Sequence, residues 1–174
     1  SAAIASFYAT KLVPTGEGGM VLTDDEGLAE TVRDRRDYDN RDDFVPRFAY
    51  KMTELQAALG RVQLKRLPEF LKRRREIAGQ YYAAFRDQPL GLPDPADHIF
   101  FRFVVTTPDQ ESLLARLNEQ GIEAKRPVHR PAHHYTHGGH LRGTAWCAVP
   151  CLEADRNHDT AVSLPIHPRM TDAD

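Results

Sequence analysis

The sequence predicts an α/β protein. Its first part contains two short apolar stretches around a glycine-containing loop, followed by a helical pattern with a capping signal. Its second part alternates helix, strand, helix and strand, which is typical of a small α/β domain. A long helical pattern of about thirty residues, estimated from the 3.6-residue spacing of its apolar side chains, joins the two parts. We therefore expect two α/β regions tied together by one helix.

The amino-terminal elements surround a lysine. Residues 4–7 predict the end of a buried strand, and residues 20–22 predict a second short strand. Residues 11–19 predict a loop because they contain Pro14 and several glycines. Lys11 opens this loop, so we expect it to be partly buried directly after a strand.

Capping boxes predict where three helices begin: Thr23 with Glu26, Thr53 with Gln56, and Thr107 with Gln110. The first helix ends near Arg36, and residues 37–48 predict an exposed, charged loop. The second helix is expected to kink or restart at Pro68, since proline suits a first helical turn. Residues 73–75 are three arginines that we expect to face mostly outward.

Residues 99–168 contain further predicted strands and helices. Residues 99–106 predict a strand because they are β-branched and aromatic, and Gly121 is expected to end the third helix. The remaining assignments are a strand at residues 122–125, a loop at 126–143, a helix at 150–162 and an extended segment at 164–168.

Composition excludes several classes of function. The 174 residues carry a net charge of −2, so no basic field favours nucleic acid, and no apolar run predicts a membrane span. Cys147 and Cys151 cannot form a disulfide framework, and we expect two reduced thiols in a cytoplasmic protein. The chain opens inside an apolar stretch and stops at a helix-like start, so we expect a piece of a larger protein.

Lys11 is the first candidate for chemistry. A lysine becomes an imine-forming nucleophile when burial or neighbouring cations destabilise its ammonium. Ser6 and Thr10 could place hydroxyl groups near a bound anion, and the glycines allow close backbone approach. Spacing alone favours an ordinary surface lysine over a covalent catalyst.

The second candidate is a run of five histidines: His129, His133, His134, His137 and His140. His133 and His137 have helical spacing, but Pro131 and two glycines argue against a helix there. No glutamate follows His133 as a metalloprotease motif requires. We therefore expect a histidine-bearing loop at a pocket mouth and no metal site.

Several separated blocks of sequence resemble the DegT/StrS family of sugar aminotransferases. These blocks are SFYATK, TGEGGMVLTDD, AYKMTELQAALGRVQLKRL, EFLKRRREIAGQYYAAF, RPVHRPAHHY and AVSLPIHPRMTDAD, and they occur in the family's order. The resemblance covers nearly the whole chain, with residues 37–48 and 138–151 matching least well.

The resemblance implies a type I aspartate-aminotransferase fold with a homodimeric active site and pyridoxal 5'-phosphate as cofactor. Residues 1–67 would be the carboxy-terminal part of the large domain, and residues 68–174 the small α/β domain. By motif match, Lys11 is the imine-forming lysine and Ser6 contacts the cofactor phosphate. His133 would be brought toward the substrate.

The implied reaction is ping-pong transamination. An amino-acid donor, usually glutamate in this family, supplies nitrogen for the keto group of a nucleotide-linked sugar. Lys11 would move the proton as general base and acid. A dehydratase branch of the family has histidine at this position, so Lys11 favours the aminotransferase branch.

Two departures from the family pattern matter. Ala49 stands where the family has an asparagine that reaches the partner's phosphate, and Lys51 or Arg47 is our hypothesis for that contact. The family's cofactor-stacking aromatic residue and pyridine-binding aspartate precede the lysine and are not in this chain. We therefore expect the 174 residues alone to transaminate poorly or not at all.

Two other functions stay open from sequence. The chain could be a non-catalytic remnant that keeps the small domain and dimer surface for binding or regulation. It could also be a histidine-rich metal module, which would require stoichiometric zinc or nickel in the purified protein.

Overall fold

The structure is a computed structural model that describes residues 1–135 and 151–173. The chain divides into two compact units, Ser1–Phe70 and Leu71–Asp174, which are called unit 1 and unit 2 below. The domains predicted at 1–67 and 68–174 remain a prediction. The predictions for Cys147, His137 and His140 lie outside the described residues. Within the described part of the chain, every helix is too short or too polar to cross a membrane.

Unit 1 contains two paired strands and helical segments. Strand β1 (Ala2–Ser6) pairs antiparallel with β2 (Gly19–Thr23), and Ile4 lies opposite Val21. Helix α1 (Glu26–Arg35) follows β2. The unit also includes the first part of α2 (Glu54–Phe85).

Unit 1 buries almost no side chain. Thr15 is the one buried residue among residues 1–70, all of which are described. Ile4 in β1 is 87% exposed, so the prediction of a buried strand is wrong for this chain. The physical reason is that a two-stranded sheet and a short helix cannot cover both faces of the sheet.

The first two predicted capping boxes have different outcomes. Helix α1 is capped by Asp25, whose carboxylate accepts the Leu28 N–H at 3.0 Å, so the Thr23 box is wrong. At the start of α2, the prediction is confirmed. The Gln56 N–H donates to Thr53 Oγ1 at 3.3 Å, and the Thr53 N–H donates to Gln56 Oε1 at 3.0 Å.

The third predicted box is wrong for a tertiary reason. Asp109 is the residue that precedes the helix, and its side chain makes no capping hydrogen bond. Gln110 is buried, and its amide donates to the carbonyls of His158 at 2.8 Å and Ala161 at 2.7 Å. These long-range bonds occupy the side chain that a box would turn back to Thr107.

Unit 2 has a continuous hydrophobic core. Its elements are the second part of α2, β3 (Phe103–Thr106), α3 (Gln110–Glu119), a 3₁₀ turn (Ala132–His134), α4 (Leu152–Thr160) and β4 (Ala161–Leu164). Strands β3 and β4 pair antiparallel, with Phe103 opposite Leu164. The core consists of Ile77, Ala78, Phe100, Phe103, Val105, Ala124, Val162, Leu164 and Ile166.

Several predicted boundaries in unit 2 are corrected. The strand predicted from residue 99 begins only at residue 103, because Phe100 has a positive φ of 49° that breaks extended structure. The strand predicted at 122–125 reduces to a single bridge between Lys125 and Ser163. The helix predicted to residue 162 ends at residue 160 and passes directly into β4.

The predictions at Pro68, where we expected a kink or restart, and at Gly121, where we expected a helix to end, have different outcomes. Helix α2 continues through Pro68 without a restart. Gly121 follows α3 with φ of 78°, and the Ile122 N–H donates to the Leu117 carbonyl at 2.9 Å, which confirms the predicted stop.

Arg74 lies inside unit 2, which corrects the prediction that residues 73–75 face outward. Arg74 is buried, with only 8% of its surface exposed to solvent. Its Nη1 donates to the carbonyls of Phe100 at 2.9 Å, Phe101 at 3.2 Å and Ile166 at 2.8 Å. One guanidinium therefore ties α2 to two segments that are distant in sequence.

We expect Arg74→Met to destabilise unit 2 by at least about 2 kcal/mol, because each buried acceptor left without a donor costs about 1–3 kcal/mol. The neighbouring exposed Arg75→Met is the matched control and should change stability by less than about 0.5 kcal/mol. Urea unfolding followed by far-ultraviolet circular dichroism compares the two variants. Equal midpoints for both would contradict the assigned role of Arg74.

Candidate active site

The loop between β1 and β2 is pinned at its base by Phe7. The Phe7 N–H donates to the Gly18 carbonyl at 2.8 Å, and the Phe7 carbonyl accepts the Thr15 N–H at 2.8 Å. Because both backbone groups of one residue are used, the two sides of the loop are held together. Lys11 lies in this loop and is exposed rather than partly buried, which corrects the prediction.

Thr15 packs the interior of this loop. It is 5% exposed, and its hydroxyl donates to the Glu17 carbonyl at 2.5 Å. A Cβ atom added to Gly18 would lie 2.6 Å from Met52 Cε, and Gly18 has φ of 138°. A Cβ atom at Gly60 would lie 3.0 Å from Thr15 Cγ2. The loop therefore requires glycine at Gly18 for its backbone conformation, whereas the flexible end of the Met52 side chain could move aside.

Ser6 and Lys11 are connected through Tyr8. The Lys11 N–H donates to the Tyr8 carbonyl at 2.9 Å, and the Tyr8 N–H donates to Ser6 Oγ at 3.4 Å. Since the Ser6 oxygen accepts this bond, its own hydroxyl hydrogen can be donated to an anion. The loop thus carries an amine and a hydroxyl donor on one short segment.

Lys51 lies in an ion-pair cluster of unit 1. Its Nζ is 3.0 Å from Asp37 Oδ1 and 3.4 Å from Asp39 Oδ2. The hydrogen bond between Lys51 and Asp37 lowers the pKa of Asp37 and raises the pKa of Lys51. Lys51 therefore remains a cation at neutral pH, although two carboxylates now compete with any phosphate for it.

Arg47, the other candidate for a phosphate contact, is committed to carboxylates. Its side chain is 7% exposed, and its Nε lies 2.9 Å from Asp34 Oδ1 in α1. Its guanidinium also binds Asp43, which lowers the pKa of that carboxyl to about 2. Arg47 therefore holds the loop at residues 37–48 against α1, so Lys51 is the better-placed of the two.

His133 lies in unit 2, on the 3₁₀ turn. Its Nε2 is 2.8 Å from Asp155 Oδ1, and the Nε2 of His134 is 2.7 Å from the same oxygen. The hydrogen bonds from His133 and then His134 lower the pKa of Asp155, so its carboxyl is ionised at neutral pH. Sequence reasoning placed His134 in the histidine run but missed Asp155, because Asp155 lies 22 positions from His133 and no local pattern connects them.

The predicted site residues belong to different units. Ser6, Lys11 and Lys51 are in unit 1, and His133 is in unit 2. Within unit 1, the structure joins Ser6 to Lys11 through one loop, whereas Lys51 occupies the separate cluster with Asp37.

Unit 1 also exposes a set of large apolar side chains on β1, β2 and α2. The most exposed of these are Ile4 at 87%, Leu55 at 85%, Leu64 at 60%, Val62 at 56% and Met20 at 52%. Soluble proteins rarely leave large apolar faces in solvent, so these side chains are suited to contact with another polypeptide.

Comparison with known proteins identifies the family of this chain. The family model of the DegT/DnrJ/EryC1/StrS aminotransferase family matches residues 1–174. The chain therefore belongs to this family, as its sequence blocks predict. Pyridoxal 5'-phosphate is the cofactor of the family, and its members are aminotransferases.

Individual relatives agree with this assignment. The spore coat polysaccharide biosynthesis protein SpsC of Bacillus subtilis is 34% identical and aligns with 97% of this chain and 49% of its own length. The crystal structure of S. venezuelae DesV in complex with a ketimine intermediate is 28% identical, with a TM-score of 0.84 over 99% of this chain and 48% of its own.

Helicobacter pylori PseC, an aminotransferase involved in pseudoaminic acid biosynthesis, is 26% identical. Its TM-score is 0.86 over 99% of this chain and 49% of PseC. These similarities confirm the predicted α/β fold class. The chain spans about half the length of the relatives that it matches.

Proposed function

We propose that this chain is the lysine-bearing half of a pyridoxal-phosphate-dependent aminotransferase that acts on a nucleotide-linked keto sugar. The observation that carries the proposal is the pinned loop, in which backbone hydrogen bonds link Lys11 to Ser6 through Tyr8. The donor set fits the cofactor, because an aldehyde is bound covalently by an amine and a phosphate is bound by hydroxyl and cationic donors.

Lys11 Nζ has two tasks in this proposal. It holds the cofactor covalently until the donor amine displaces it. It then takes the proton from the reacting carbon and returns it as general base and general acid. The cofactor, when bound, supplies the electron sink that makes this proton removable. The proposed amino donor is glutamate, as the resemblance implies.

Ser6 and Lys51 would hold the phosphate in different ways. Ser6 donates a hydroxyl hydrogen from a position fixed by the Tyr8 N–H. Lys51 contributes a charge, and phosphate binding would replace its pairing with Asp37 and Asp39. The homodimer implied by the resemblance would bring Lys51 to the phosphate of the partner's site.

His133 is the proposed substrate-binding residue of unit 2. Its ring is fixed by Asp155, so one edge has a defined orientation. A fixed imidazole can donate to or accept from the hydroxyl groups of a sugar. This assignment stays a proposal, and so does the cytoplasmic location expected from the sequence.

The proposal includes the need for the other half of the family fold. Unit 1 exposes apolar side chains on β1, β2 and α2, and the relatives are about twice as long as this chain. We infer that the half of the family fold that this chain does not match packs on these apolar side chains. That half would also contribute the residue that binds the pyridine nitrogen.

The covalent assignment is tested by chemical trapping. After addition of pyridoxal phosphate to the full-length gene product and reduction with borohydride, we expect the pyridoxyl label on the peptide that contains Lys11. Peptide mass spectrometry locates it. Lys11→Ala should abolish this label, because no other amine occupies the pinned loop.

The matched control is Lys72→Ala, which removes a lysine with an 81% exposed side chain. This variant should leave the label and its visible absorbance unchanged. An absorbance that survives Lys11→Ala unaltered would contradict the site assignment. Absence of any label in the unaltered protein would favour a non-catalytic remnant.

The phosphate role of Lys51 is tested by comparing two ligands. Lys51→Ala should weaken binding of pyridoxal phosphate by about tenfold or more, since a hydrogen bond to a charged group contributes about 1.5–3 kcal/mol. Binding of pyridoxal, which has no phosphate, should be unchanged. Absorbance titration measures both. Equal effects on the two ligands would remove the phosphate contact from the proposal.

A further inference from the structure

Three potential metal ligands converge in unit 2. His133 and His134 come from the 3₁₀ turn, and Asp155 comes from α4. The two Nε2 atoms lie 2.8 Å and 2.7 Å from the same Asp155 oxygen. The three ligand atoms lie within 4.8 Å of one another, so small side-chain adjustments would bring all three to one ion.

The turn orients both imidazoles toward Asp155. The rings of His133 and His134 meet edge to face, with centroids 4.4 Å apart and planes at 75°. In this arrangement each ring directs its Nε2 to the carboxylate without blocking the other. Adjacent histidines seldom point to one atom in a helix or strand, so the 3₁₀ geometry is what makes them a pair.

His134 is also held by contacts with residues outside the group of three ligands. The ring of His158 meets that of His134 edge to face, with centroids 6.0 Å apart. His158 itself is held by Asp159, whose Oδ1 is 2.9 Å from Nδ1, and by the His129 carbonyl at 3.3 Å from Nε2. The packing against His158 therefore restricts rotation of the His134 ring.

The donor set and exposure indicate which ion fits. Two imidazole nitrogens and one carboxylate oxygen are the ligands of many zinc sites with three protein ligands and one water. Calcium and magnesium prefer all-oxygen ligand sets. The side chains of His133, His134 and Asp155 are 22%, 40% and 37% exposed, so an ion and its water can reach them from solvent.

We propose that His133, His134 and Asp155 bind one divalent transition-metal ion with the ligand preference of zinc. The proposal differs from the expectation of no metal site, which considered only ligands within the histidine run. The third ligand comes from α4, where the sequence offered no signal. Because His133 is also the proposed substrate-binding residue, zinc and sugar would compete for it, and this consequence alone rests on the proposed function.

Zinc titration by isothermal calorimetry, with the full-length gene product free of added tags, tests the site. We expect one saturable ion per chain. Asp155→Asn should weaken binding by at least about tenfold, since changes in supporting groups alone cost 10- to 100-fold in metal affinity. Glu153→Gln removes an exposed carboxylate from the same helix and should leave the affinity unchanged.

Because Asp155 lies outside the histidine run, the Asp155→Asn variant distinguishes the proposed site from zinc binding by the histidine run alone. Zinc binding that is lost in His134→Gln but unchanged in Asp155→Asn would come from the histidine run alone and would overturn the proposal. Absence of saturable binding would also overturn it.

A second measurement uses the unaltered protein, so it does not require any variant to fold. Cobalt(II) added to the unaltered protein should give the intense visible absorption of four-coordinate cobalt, and weak octahedral absorption would contradict the site. Borohydride trapping at Lys11 is independent of zinc. Failure of the metal site therefore leaves the cofactor assignment unaffected, and failure of trapping leaves the metal site unaffected.

Discussion

The paired backbone bonds of Phe7 are the constraint on which the candidate site depends. They hold the Gly18 and Thr15 sides of the loop together, so the chain between them has few conformations left. Fixing each backbone residue otherwise costs about 1–2 kcal/mol of conformational entropy. Since that cost is met in the folded loop, the backbone that carries Lys11 and Ser6 is positioned before any ligand arrives, which lowers the entropy cost of binding.

The two units differ in how their stability is supplied. Unit 2 has a core centred on Phe103, Val105 and Val162, and the Arg74 guanidinium ties its segments together. Unit 1 has local hydrogen bonds and ion pairs, but only Thr15 is buried in it. The chain aligns with only about half the length of its relatives. Unit 1, which carries Lys11, leaves large apolar side chains uncovered, as expected if the rest of the family fold packs on this unit.

The sequence predicted the elements of the fold better than their ends. Helices α1 to α4, the strands β1, β2 and β3 and the cap at Thr53 followed from periodicity and local hydrogen bonding. The strand predicted at 122–125 did not form, and β4 begins inside the predicted last helix. The cap at Thr23 failed because Asp25, two positions later, competes as a better acceptor for the first helical turn. The cap at Thr107 failed because distant carbonyls bind Gln110, and no local pattern contains that information.

The motifs led us to predict Lys11, Ser6 and His133 as site residues, and these roles stay predictions. The structure shows hydrogen bonds that each of these residues makes. The burial of Arg74 and the pairing of His133 with Asp155 depend on contacts between segments far apart in sequence. Exposure of Lys11 was mispredicted because a strand that would be buried in a larger sheet is half of a two-stranded sheet in this chain.

The central claim is that Lys11 is the covalent anchor of an aminotransferase site that needs both halves of the family fold. The most direct measurement is the conversion of pyridoxal phosphate to pyridoxamine phosphate by glutamate. We predict no conversion by the 174-residue chain alone, and conversion when a polypeptide supplies the uncovered half of the fold. Conversion by the chain alone, or conversion that persists in Lys11→Ala, would contradict the account.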